Sequence, residues 1–407
     1  MNAGTAPAHL KPRGSSQGGL RQYNERVILQ AVRLHGPLPG AELARLTGLT
    51  AQTVSLITKR LIDDGLLRKG TPQRGKVGQP SVPLALDPDG AFAIGVKVGR
   101  RSLDVLLVDF AGQLRERSSL AYDFPETEAV VAEIAQRVQA LAHGLGEAGR
   151  ARLQGIGIAA PLSVGGWQGL LGFSPTLAED WARIDLRAEV ERRTGQPVEL
   201  LKDTAAACVA ELVAGRGRSV KSFLYIFVDT FIGGGLVLDS HLRAGLHGNA
   251  GAVGSLPLGL APAGTTTAPP QLLSVASLLM LESRYRDHGL EPQAASDDRA
   301  LQAPWRPHTE AWLREAGAAI ALAVHGAACL LDLDGVILDG NLARALLDAL
   351  LAAVRDAMPR YTWEGVAQPA LWPGTIGSDA RALGGAWLPL QASFAPDREL
   401  FLKVDGS

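Results

Sequence analysis

The stretch from Gly40 to Leu86 constrains the fold of this chain more than any other part of the sequence. Apolar residues at helical spacing predict a short helix from Ala41 to Thr47. Gly48 is predicted to end that helix, because glycine readily adopts the left-handed conformation found at helix C-termini. Thr50 has a side chain suited to cap the N-terminus of a second helix. Two helices joined by a tight turn are therefore predicted here.

The second predicted helix, from Ala51 to Leu61, has one apolar face and one polar face. The apolar face follows steps of three and four and comprises Val54, Ile57, Thr58 and Leu61. The remaining side chains are mostly short and polar or basic, which suits a helix in the major groove of DNA. We predict that base edges are read by Gln52, Thr53 and Ser55. Lys59 is predicted to contact a phosphate.

A predicted hairpin follows the two helices. Residues 65–70 indicate a helix stop and a short strand, and residues 81–86 indicate its partner. The turn-rich loop between them carries Arg74 and Lys76, which are predicted to contact phosphate or the minor groove. Two helices and a hairpin in this order are typical of a winged helix-turn-helix that binds DNA. The alternative is a small helical domain with an ordinary hairpin that binds protein.

Positive charge is concentrated at the N-terminal end of the chain. Residues 1–86 contain 12 Lys and Arg against 4 Asp and Glu, a net charge of +8. Subtracting these from the totals of 40 and 41 leaves 28 and 37, a net charge of −9 for the rest. A basic module attached to an acidic body indicates a nucleic-acid-binding surface confined to one end.

The chain is predicted to contain four segments. Residues 1–20 are small and polar and predict a disordered lead-in, and residues 21–86 form the winged module. After the turn-prone boundary Leu86–Gly90, strands and helices follow in the order βββαβαβα, and this order largely recurs. Two such halves facing each other across a cleft predict an α/β body with the duplicated ribonuclease-H-like, actin-like fold. Its subdomains are predicted at 87–202 and 203–407, with a C-terminal helix that can return to the first.

The predicted elements of this body come from the apolar runs and helical periodicity. Strands are predicted at 92–98, 103–110, 118–124, 154–160, 198–201, 222–228, 235–238, 241–244, 335–338 and 370–372. Helices are predicted at 126–146, 185–194, 204–214, 271–285, 310–331, 342–358 and 378–390. Residues 291–307 are predicted to form a surface loop.

Cysteine content and hydropathy argue for a cytoplasmic protein. Cys208 and Cys329 are the only cysteines, which fits a reducing compartment and excludes a zinc site built from several cysteines. The N-terminus lacks the apolar core of a signal peptide. No uncharged apolar run reaches the length of about 18 residues that a membrane span requires, so none is predicted.

Five short motifs together carry a family resemblance. They are Ala41–Ala44 with Gly48–Thr50, Leu86–Gly90 before Ile94–Val96, Gly155–Pro161, Ile232–Gly235 and Gly377–Ala380. On these motifs the chain resembles the ROK family of bacterial transcriptional repressors, over roughly residues 21 to 394. The resemblance implies a winged helix ahead of a sugar-kinase-like body. It also implies a homodimer or homotetramer that binds an operator in double-stranded DNA.

The positions that hold ATP in kinases of this family are altered here. The resemblance places Lys97 where those kinases have an aspartate, and the next turn reads Gly99-Arg100-Arg101 instead of a glycine pair with threonine. The second phosphate loop contains Asp229 and Phe231, which add a negative charge and bulk. ATP binding is therefore predicted to be lost, so no cofactor and no catalytic residue are predicted.

Asp203 matches the catalytic base of the family kinases, in the pair Lys202-Asp203. One interpretation is that its carboxylate accepts a hydrogen bond from a sugar hydroxyl. The other is that it caps the helix beginning at Thr204 and pairs with Lys202. Both interpretations stay open at the level of sequence.

The family motif that grips sugar and zinc aligns with Ala252–Ser255, where both functional side chains are missing. The cysteine cluster expected next is absent, and Gln271 stands at its last position. Zinc sites need Cys or His ligands, so no metal is predicted. The family's sugar-binding asparagine corresponds to Thr176.

The sequence predicts a sequence-specific repressor of carbohydrate-related genes, with a cleft that senses a sugar-like molecule. The candidate polar contacts in the cleft are Thr176, Glu179, Lys202, Asp203 and His247. Alternatively, the body only forms oligomers, and His247 is an ordinary surface histidine. Two rival functions are a sugar kinase with a DNA-binding arm and a DNA-binding scaffold without a ligand.

Overall fold

The computed structural model describes residues 17–72, 82–166, 172, 174–261, 264 and 268–396. The chain divides into two compact units, Met1–Leu86 and Asp87–Ser407. Each unit has its own hydrophobic core, as the hydropathy patterns on either side of Leu86 require.

The described residues of the first unit form three helices and a two-stranded antiparallel sheet. These are α1 (Gln17–His35), α2 (Gly40–Thr47), α3 (Ala51–Asp63), β1 (Leu67–Lys69) and β2 (Leu84–Leu86). An isolated bridge from Leu38 to Leu84 ties the start of α2 to the hairpin. This is the winged helix-turn-helix architecture predicted for the segment. Its core consists of buried side chains from every element, including Ile28, Val32, Leu43, Val54, Ile57, Leu61, Leu67 and Leu84.

The N-terminal end of this unit differs from the prediction in one respect. Helix α1 begins at Gln17, so residues 17–20 of the predicted lead-in are helical. Residues 1–16 of the lead-in and residues 73–81 of the predicted wing lie outside the described part of the chain.

The first half of the body is a five-stranded mixed sheet with helices packed on it. Its elements are β3 (Phe92–Val98), β4 (Ser102–Asp109), β5 (Leu114–Ala121), α4 (Thr127–Gly144), α5 (Gly146–Arg150), β6 (Leu153–Ala160), α6 (Pro175–Arg183), α7 (Leu186–Thr194) and β7 (Val198–Lys202). The strand order is β5-β4-β3-β6-β7, antiparallel from β5 to β3 and parallel from β3 to β7. Buried aliphatic residues of β3, β4 and β6 pack against α4 and α7.

The second half repeats this arrangement. It comprises α8 (Asp203–Ala214), β8 (Phe223–Val228), β9 (Gly233–Leu238), β10 (His241–Arg243), α9 (Leu273–Ala276), α10 (Leu278–Asp287), α11 (Arg306–Leu331), β11 (Gly335–Gly340), α12 (Arg344–Ala357), β12 (Ala370–Pro373) and α13 (Ala380–Phe394). The strand order is β10-β9-β8-β11-β12, with the same switch from antiparallel to parallel pairing. Two mixed sheets with helices confirm the predicted duplicated α/β body.

The last helix, α13, packs on the first sheet and on α8 at very short range. This approach depends on small residues in both surfaces. A Cβ atom added to Gly157 would lie 1.8 Å from the carbonyl oxygen of Gly385, and one added to Gly384 would lie 1.7 Å from that of Ala206. The C-terminal helix therefore belongs structurally to the interface between the two halves of the body.

Among the described residues, one helix is long and apolar enough to cross a membrane, namely α11 at Arg306–Leu331. Half of its most apolar window is buried in the body, where α11 packs against α12 and the second sheet. Burial of Trp312, Ile320 and Val324 accounts for the apolar residues on its inner face.

Three predicted segments differ from the structure. Residues 291–307, predicted as a loop, contain two short 3-10 helices at Pro292–Ser296 and Asp298–Leu301, because Ala294, Ala295 and Ala300 pack into the core. The helix predicted at 271–285 is interrupted at Ser277, whose extended backbone lets its hydroxyl accept the amide of Ile232 at 2.9 Å. The third strand of the first sheet lies at Leu114–Ala121, earlier than predicted.

Candidate functional site

Helix α3 is fixed at its N-terminus by local contacts. Gly48 adopts the left-handed conformation, with φ of 68°, and ends α2. The Thr50 hydroxyl then accepts the backbone amide of Thr53 at 3.2 Å, which satisfies one of the free amides of the first turn. Val54, Ile57 and Leu61 anchor the inner face of the helix in the core.

The outer face of α3 carries a continuous exposed stripe, formed by Gln52, Ser55, Leu56 and Lys59. These positions follow the spacing i, i+3, i+4 and i+7, which places them on one side of the helix. Leu56 lies in the middle of the stripe and is 67% exposed. Thr53 lies beside the stripe and is half-buried, with its hydroxyl 2.9 Å from that of Thr50.

Lys59 and Arg60 are neighbours on α3, but their side chains have different surroundings. The Arg60 guanidinium lies 3.6 Å from the carboxylate of Glu25 on α1 and 3.7 Å from that of Asp64. Within the described ranges Lys59 forms no ion pair, and its side chain is exposed. The ammonium group of Lys59 is therefore available to an external anion. The other two predicted phosphate contacts, Arg74 and Lys76, lie outside the described residues.

In the body, Lys97 is buried at the end of β3. Its side chain is 7% exposed, and its ammonium lies 2.8 Å from the Asp104 carboxylate on the paired strand β4. It also donates to the hydroxyl of Ser102. Burial lowers the pKa of Lys97, and the nearby charge of Arg381 lowers it further. The residue that the resemblance aligns with a kinase aspartate is therefore part of an internal ion pair.

Asp229, in the loop after β8, is bound by a residue from the last helix. Its Oδ2 lies 2.6 Å from Nη1 of Arg381, and its Oδ1 accepts a hydrogen bond from Asn341 at 3.2 Å. The Arg381 guanidinium also lies 5.0 Å from the ring centre of Phe227. Burial raises the pKa of Asp229, but the charges of Arg381 and Lys97 outweigh it and hold that pKa below its ordinary value.

The turn between β3 and β4 joins the two halves of the body. The Arg100 guanidinium lies 4.7 Å from the ring centre of Phe231 in the second half. The Arg101 guanidinium lies 2.7 Å from both carboxylate oxygens of Glu282 on α10. Each of these contacts joins the first half of the body to the second.

Asp203 is the first residue of α8, one position earlier than predicted, and Lys202 takes the cap position. Its Oδ1 accepts the amide of Thr204 at 2.8 Å, so the carboxylate still satisfies a first-turn amide. The predicted ion pair with Lys202 is wrong, because the Lys202 ammonium is directed at the carbonyl oxygen of Gly234, at 3.4 Å. In the described part of the chain, Oδ2 of Asp203 accepts no hydrogen bond.

The remaining predicted cleft residues lie on exposed segments. Thr176 and Glu179 share helix α6, and Glu179 pairs with Arg183 at 3.0 Å. His247 is exposed in the loop after β10. Among the described residues, no hydrogen bond or ion pair joins these places to Lys202 or Asp203.

The charges of Asp203 and Asp229 act together on the arginines of the cleft. Burial lowers the pKa of Arg100, and the charges of Asp203 and Asp229 raise it in part. We name the resulting set of buried and half-buried groups the charged cluster, comprising Lys97, Arg100, Asp104, Asp203, Asp229 and Arg381.

Sequence reasoning missed two members of the charged cluster, Asp104 and Arg381. Arg381 directly follows the motif Gly377–Ala380, in a helix otherwise rich in alanine, leucine and glycine. A single arginine on an apolar helix surface was the available signal, since buried arginines are rarely without a partner.

The next feature is the distribution of side chains that could serve as metal ligands. Across the described ranges, no three His, Cys, Asp or Glu side chains are grouped as metal ligands. The segment aligned with the family's sugar and zinc motif forms a 3-10 turn at Val253–Ser255 and presents no such side chain.

Sequence profiles of two families match this chain. The profile described as ROK family matches residues 93–392, and that described as winged helix-turn-helix DNA-binding matches residues 21–68. The xylose repressor of Bacillus subtilis is 23% identical over 60% of this chain and 62% of its own length. The repressor Mlc of Escherichia coli is 24% identical over 60% of this chain and 58% of its own. The chain thus spans less than two thirds of either repressor.

Other relatives extend over more of the chain. The protein y4fQ of Sinorhizobium fredii is 26% identical over 91% of both chains. One crystal structure shows a ROK family transcriptional regulator that is a homologue of E. coli Mlc. It covers 93% of this chain and 98% of its own, with a TM-score of 0.67 and 20% identity. A ROK family glucokinase from Streptomyces griseus, solved with glucose and AMPPNP, covers 73% of this chain and 99% of its own, with a TM-score of 0.56 and 22% identity.

The structural similarities, at these identities, establish the fold shared with both regulators and kinases. The ROK profile extends over well more than half of the 407 residues, and the winged module precedes it. This chain belongs to the ROK family.

Proposed function

We propose that this protein is a sequence-specific transcriptional repressor of carbohydrate-related genes, which senses a small molecule and does not phosphorylate it. The observation that carries the proposal is the exposed stripe of α3, held outward by a buried opposite face. The relative named xylose repressor supports the gene class. The protein is proposed to act in the cytoplasm, in keeping with DNA as its target.

The proposed contacts with DNA follow from the positions on α3. Gln52 can bind adenine through two hydrogen bonds, and Ser55 and Thr53 can each bond a base edge. Lys59 neutralises a phosphate and fixes the register of the helix. Arg74 and Lys76 of the wing are proposed to contact phosphate or the minor groove.

Loss of kinase activity is supported by the charged cluster. Asp229 stands at the second phosphate loop, and its lowered pKa keeps the carboxylate ionised at neutral pH. A nucleotide phosphate placed there would be repelled by the Asp229 carboxylate. The nearby guanidinium of Arg381 is already paired with that carboxylate. Lys97, at the first phosphate position, is likewise paired with Asp104.

The alternative function, a sugar kinase with a DNA-binding arm, is favoured only by the shared fold and by Asp203. Incubation of the full-length protein with ATP, Mg²⁺ and a panel of hexoses tests it directly. We expect no hexose-dependent release of ADP. Hexose-dependent turnover would overturn the proposal that the body is a sensor.

The cleft of the body is the proposed sensing site. Within the described residues, Oδ2 of Asp203 accepts no hydrogen bond, and we propose that it accepts one from a sugar hydroxyl, with Lys202 as a neighbouring contact. Thr176, Glu179 and His247 are proposed as further contacts, brought in as the halves close on the ligand. Because Arg100 and Arg101 already bridge the halves, a ligand that alters those contacts would change the angle between them.

The proposed readout of this change is the spacing of two recognition helices. We propose that the body joins protomers into a homodimer or homotetramer, so that two α3 helices enter successive major grooves about 34–36 Å apart. A change in the body then shifts that spacing and the affinity for a two-fold operator. A ligand-free scaffold would lack this coupling.

Selection of duplexes from a randomised DNA library tests the central claim. The full-length protein is expected to enrich one sequence with two-fold symmetry, and to bind it at least about 10³-fold more tightly than random duplex. Binding of all duplexes with similar affinity, or of none, would overturn the assignment of sequence-specific recognition.

A further inference from the structure

Leu56 is an apolar side chain at the centre of the polar stripe on α3. It is 67% exposed, although Val54 and Ile57 of the same helix are almost completely buried in the core. Gln52 precedes it by one turn, and Lys59 follows it by nearly one turn. Single exposed leucines are common on protein surfaces, so exposure alone carries no inference. The side chains around this leucine are proposed to contact DNA. A leucine in their midst would therefore face a base, and the question is which group of the base it contacts.

The bases offer one apolar group to such a side chain in the major groove. Each A·T pair presents the C5-methyl group of thymine, while the other features of the groove are hydrogen-bond donors and acceptors. A leucine facing a donor or acceptor would desolvate it without replacing its hydrogen bond. A leucine facing the methyl group removes apolar surface from water on both sides.

We propose that Leu56 contacts the C5-methyl group of one thymine in each operator half-site and makes that position specific for thymine. This inference rests on the proposed DNA-binding function of α3. It assigns the recognition of one base, thymine, to a side chain that forms no hydrogen bonds.

Helix geometry places this thymine close to the adenine proposed for Gln52. Four residues of α-helix rise about 6 Å, and base pairs are spaced about 3.4 Å apart along the duplex. The two contacts are therefore expected within about two base steps of each other. A selected half-site should accordingly contain an adenine and a thymine near each other.

The test uses the full-length protein and the duplex that it selects from a random library. Each thymine of one half-site, and its symmetry mate, is replaced in turn by deoxyuridine, which removes only the methyl group. At one position wild-type affinity is expected to fall about fourfold per half-site, the size of effect that burial of one methyl group produces. Leu56→Ala is expected to bind the unmodified duplex more weakly by a similar factor.

The combination of the two changes isolates the contact. In Leu56→Ala the deoxyuridine at the critical position should have no further effect, because the partner of the methyl group is already gone. Ser55→Ala, one residue away on the same stripe, should keep the full response to deoxyuridine. Because Leu56 and Ser55 are exposed, both variants are expected to unfold at the wild-type temperature, which a thermal melt verifies.

The outcomes separate this inference from the proposed function. If the protein selects no duplex, the DNA-binding proposal fails. If it selects one, but no deoxyuridine weakens wild-type binding, or each weakens wild type and Leu56→Ala equally, Leu56 does not read a thymine.

Discussion

Arg381 on the last helix and Asp229 in the loop after β8 form a buried ion pair, with Nη1 2.6 Å from Oδ2. The Arg381 side chain is 7% exposed and that of Asp229 is 16% exposed. The pair joins α13, which packs on the first sheet, to the C-terminal end of β8, the central strand of the second sheet. Neither charge is easily solvated if the other is removed, so we expect the pair to stabilise this arrangement of the two halves of the body.

Removal of Arg381 alone is expected to destabilise the protein strongly. Arg381→Met leaves the buried Asp229 carboxylate without its ion-pair partner, and such changes cost about 3–5 kcal/mol. The measurement is the free energy of unfolding in urea, followed by circular dichroism.

The double variant Arg381→Met with Asp229→Asn is the matched control. It contains no unpaired charge at this place and should recover most of the loss, because an apolar or neutral pair of similar size is often tolerated. If the single variant is as stable as wild type, the ion pair does not hold the halves together.

The same pair predicts how stability depends on pH. The pKa of Asp229 lies below its ordinary value of 3.8 in the folded protein, where burial is outweighed by the charges of Arg381 and Lys97. The ionised carboxylate therefore contributes stability above pH 3.8, and this contribution is lost as the pH falls through the folded pKa. Between pH 5 and 3, wild type should lose more unfolding free energy than the double variant. Parallel curves for the two proteins would contradict the assigned shift.

The DNA-binding unit could be predicted from sequence in most of its detail because its determinants are local. The cap at Thr50 acts on Thr53, three residues away, and Gly48 ends α2 by its own backbone conformation. The buried face of α3 repeats at the helical period. Such signals lie within one or two turns of chain and do not depend on the rest of the fold.

The charged cluster could be predicted only in part, because its contacts join distant segments. Lys97 and Asp229 stood out as departures from a family pattern, whereas the pairing of Asp229 with Arg381 depends on where α13 packs. The break at Ser277 has the same origin, since its hydroxyl binds the amide of Ile232 in another loop. No periodicity within either segment encodes these long-range contacts.

Asp203→Asn is expected to abolish the response of the protein to its effector while preserving the fold. The asparagine oxygen can still accept the amide of Thr204, but the side chain loses the charge available to a sugar hydroxyl. In a thermal-shift screen of sugars, a ligand at 100 times its dissociation constant should stabilise wild type by about 2.7 kcal/mol. The variant should keep the circular dichroism spectrum of the wild type, and its melting temperature should not rise when ligand is added. An undiminished shift in Asp203→Asn would place the effector elsewhere.

Gln52→Ala is expected to change base preference more than overall affinity for DNA. Loss of a two-bond contact with adenine should reduce discrimination at one position per half-site by about 1–3 kcal/mol. Competition between the selected duplex and its single-base variants, measured by fluorescence anisotropy, gives this quantity. The salt dependence of binding should be unchanged, because no phosphate contact is removed. Discrimination equal to that of wild type at every position would remove Gln52 from the reading surface.

Lys59 and Arg60 offer a matched pair for testing phosphate contact on α3. Both variants, Lys59→Ala and Arg60→Ala, remove one positive charge from adjacent exposed positions. The Lys59 ammonium forms no ion pair in the described part of the chain, whereas Arg60 lies within 3.6 Å of the Glu25 carboxylate on α1. Lys59→Ala should therefore weaken binding to all duplexes and lower the slope of log affinity against log salt by about 0.9 per half-site. Arg60→Ala should leave that slope near the wild-type value, because its charge is already balanced within the protein. Equal changes in the two variants would mean that net charge, and not a specific contact of Lys59, governs the interaction.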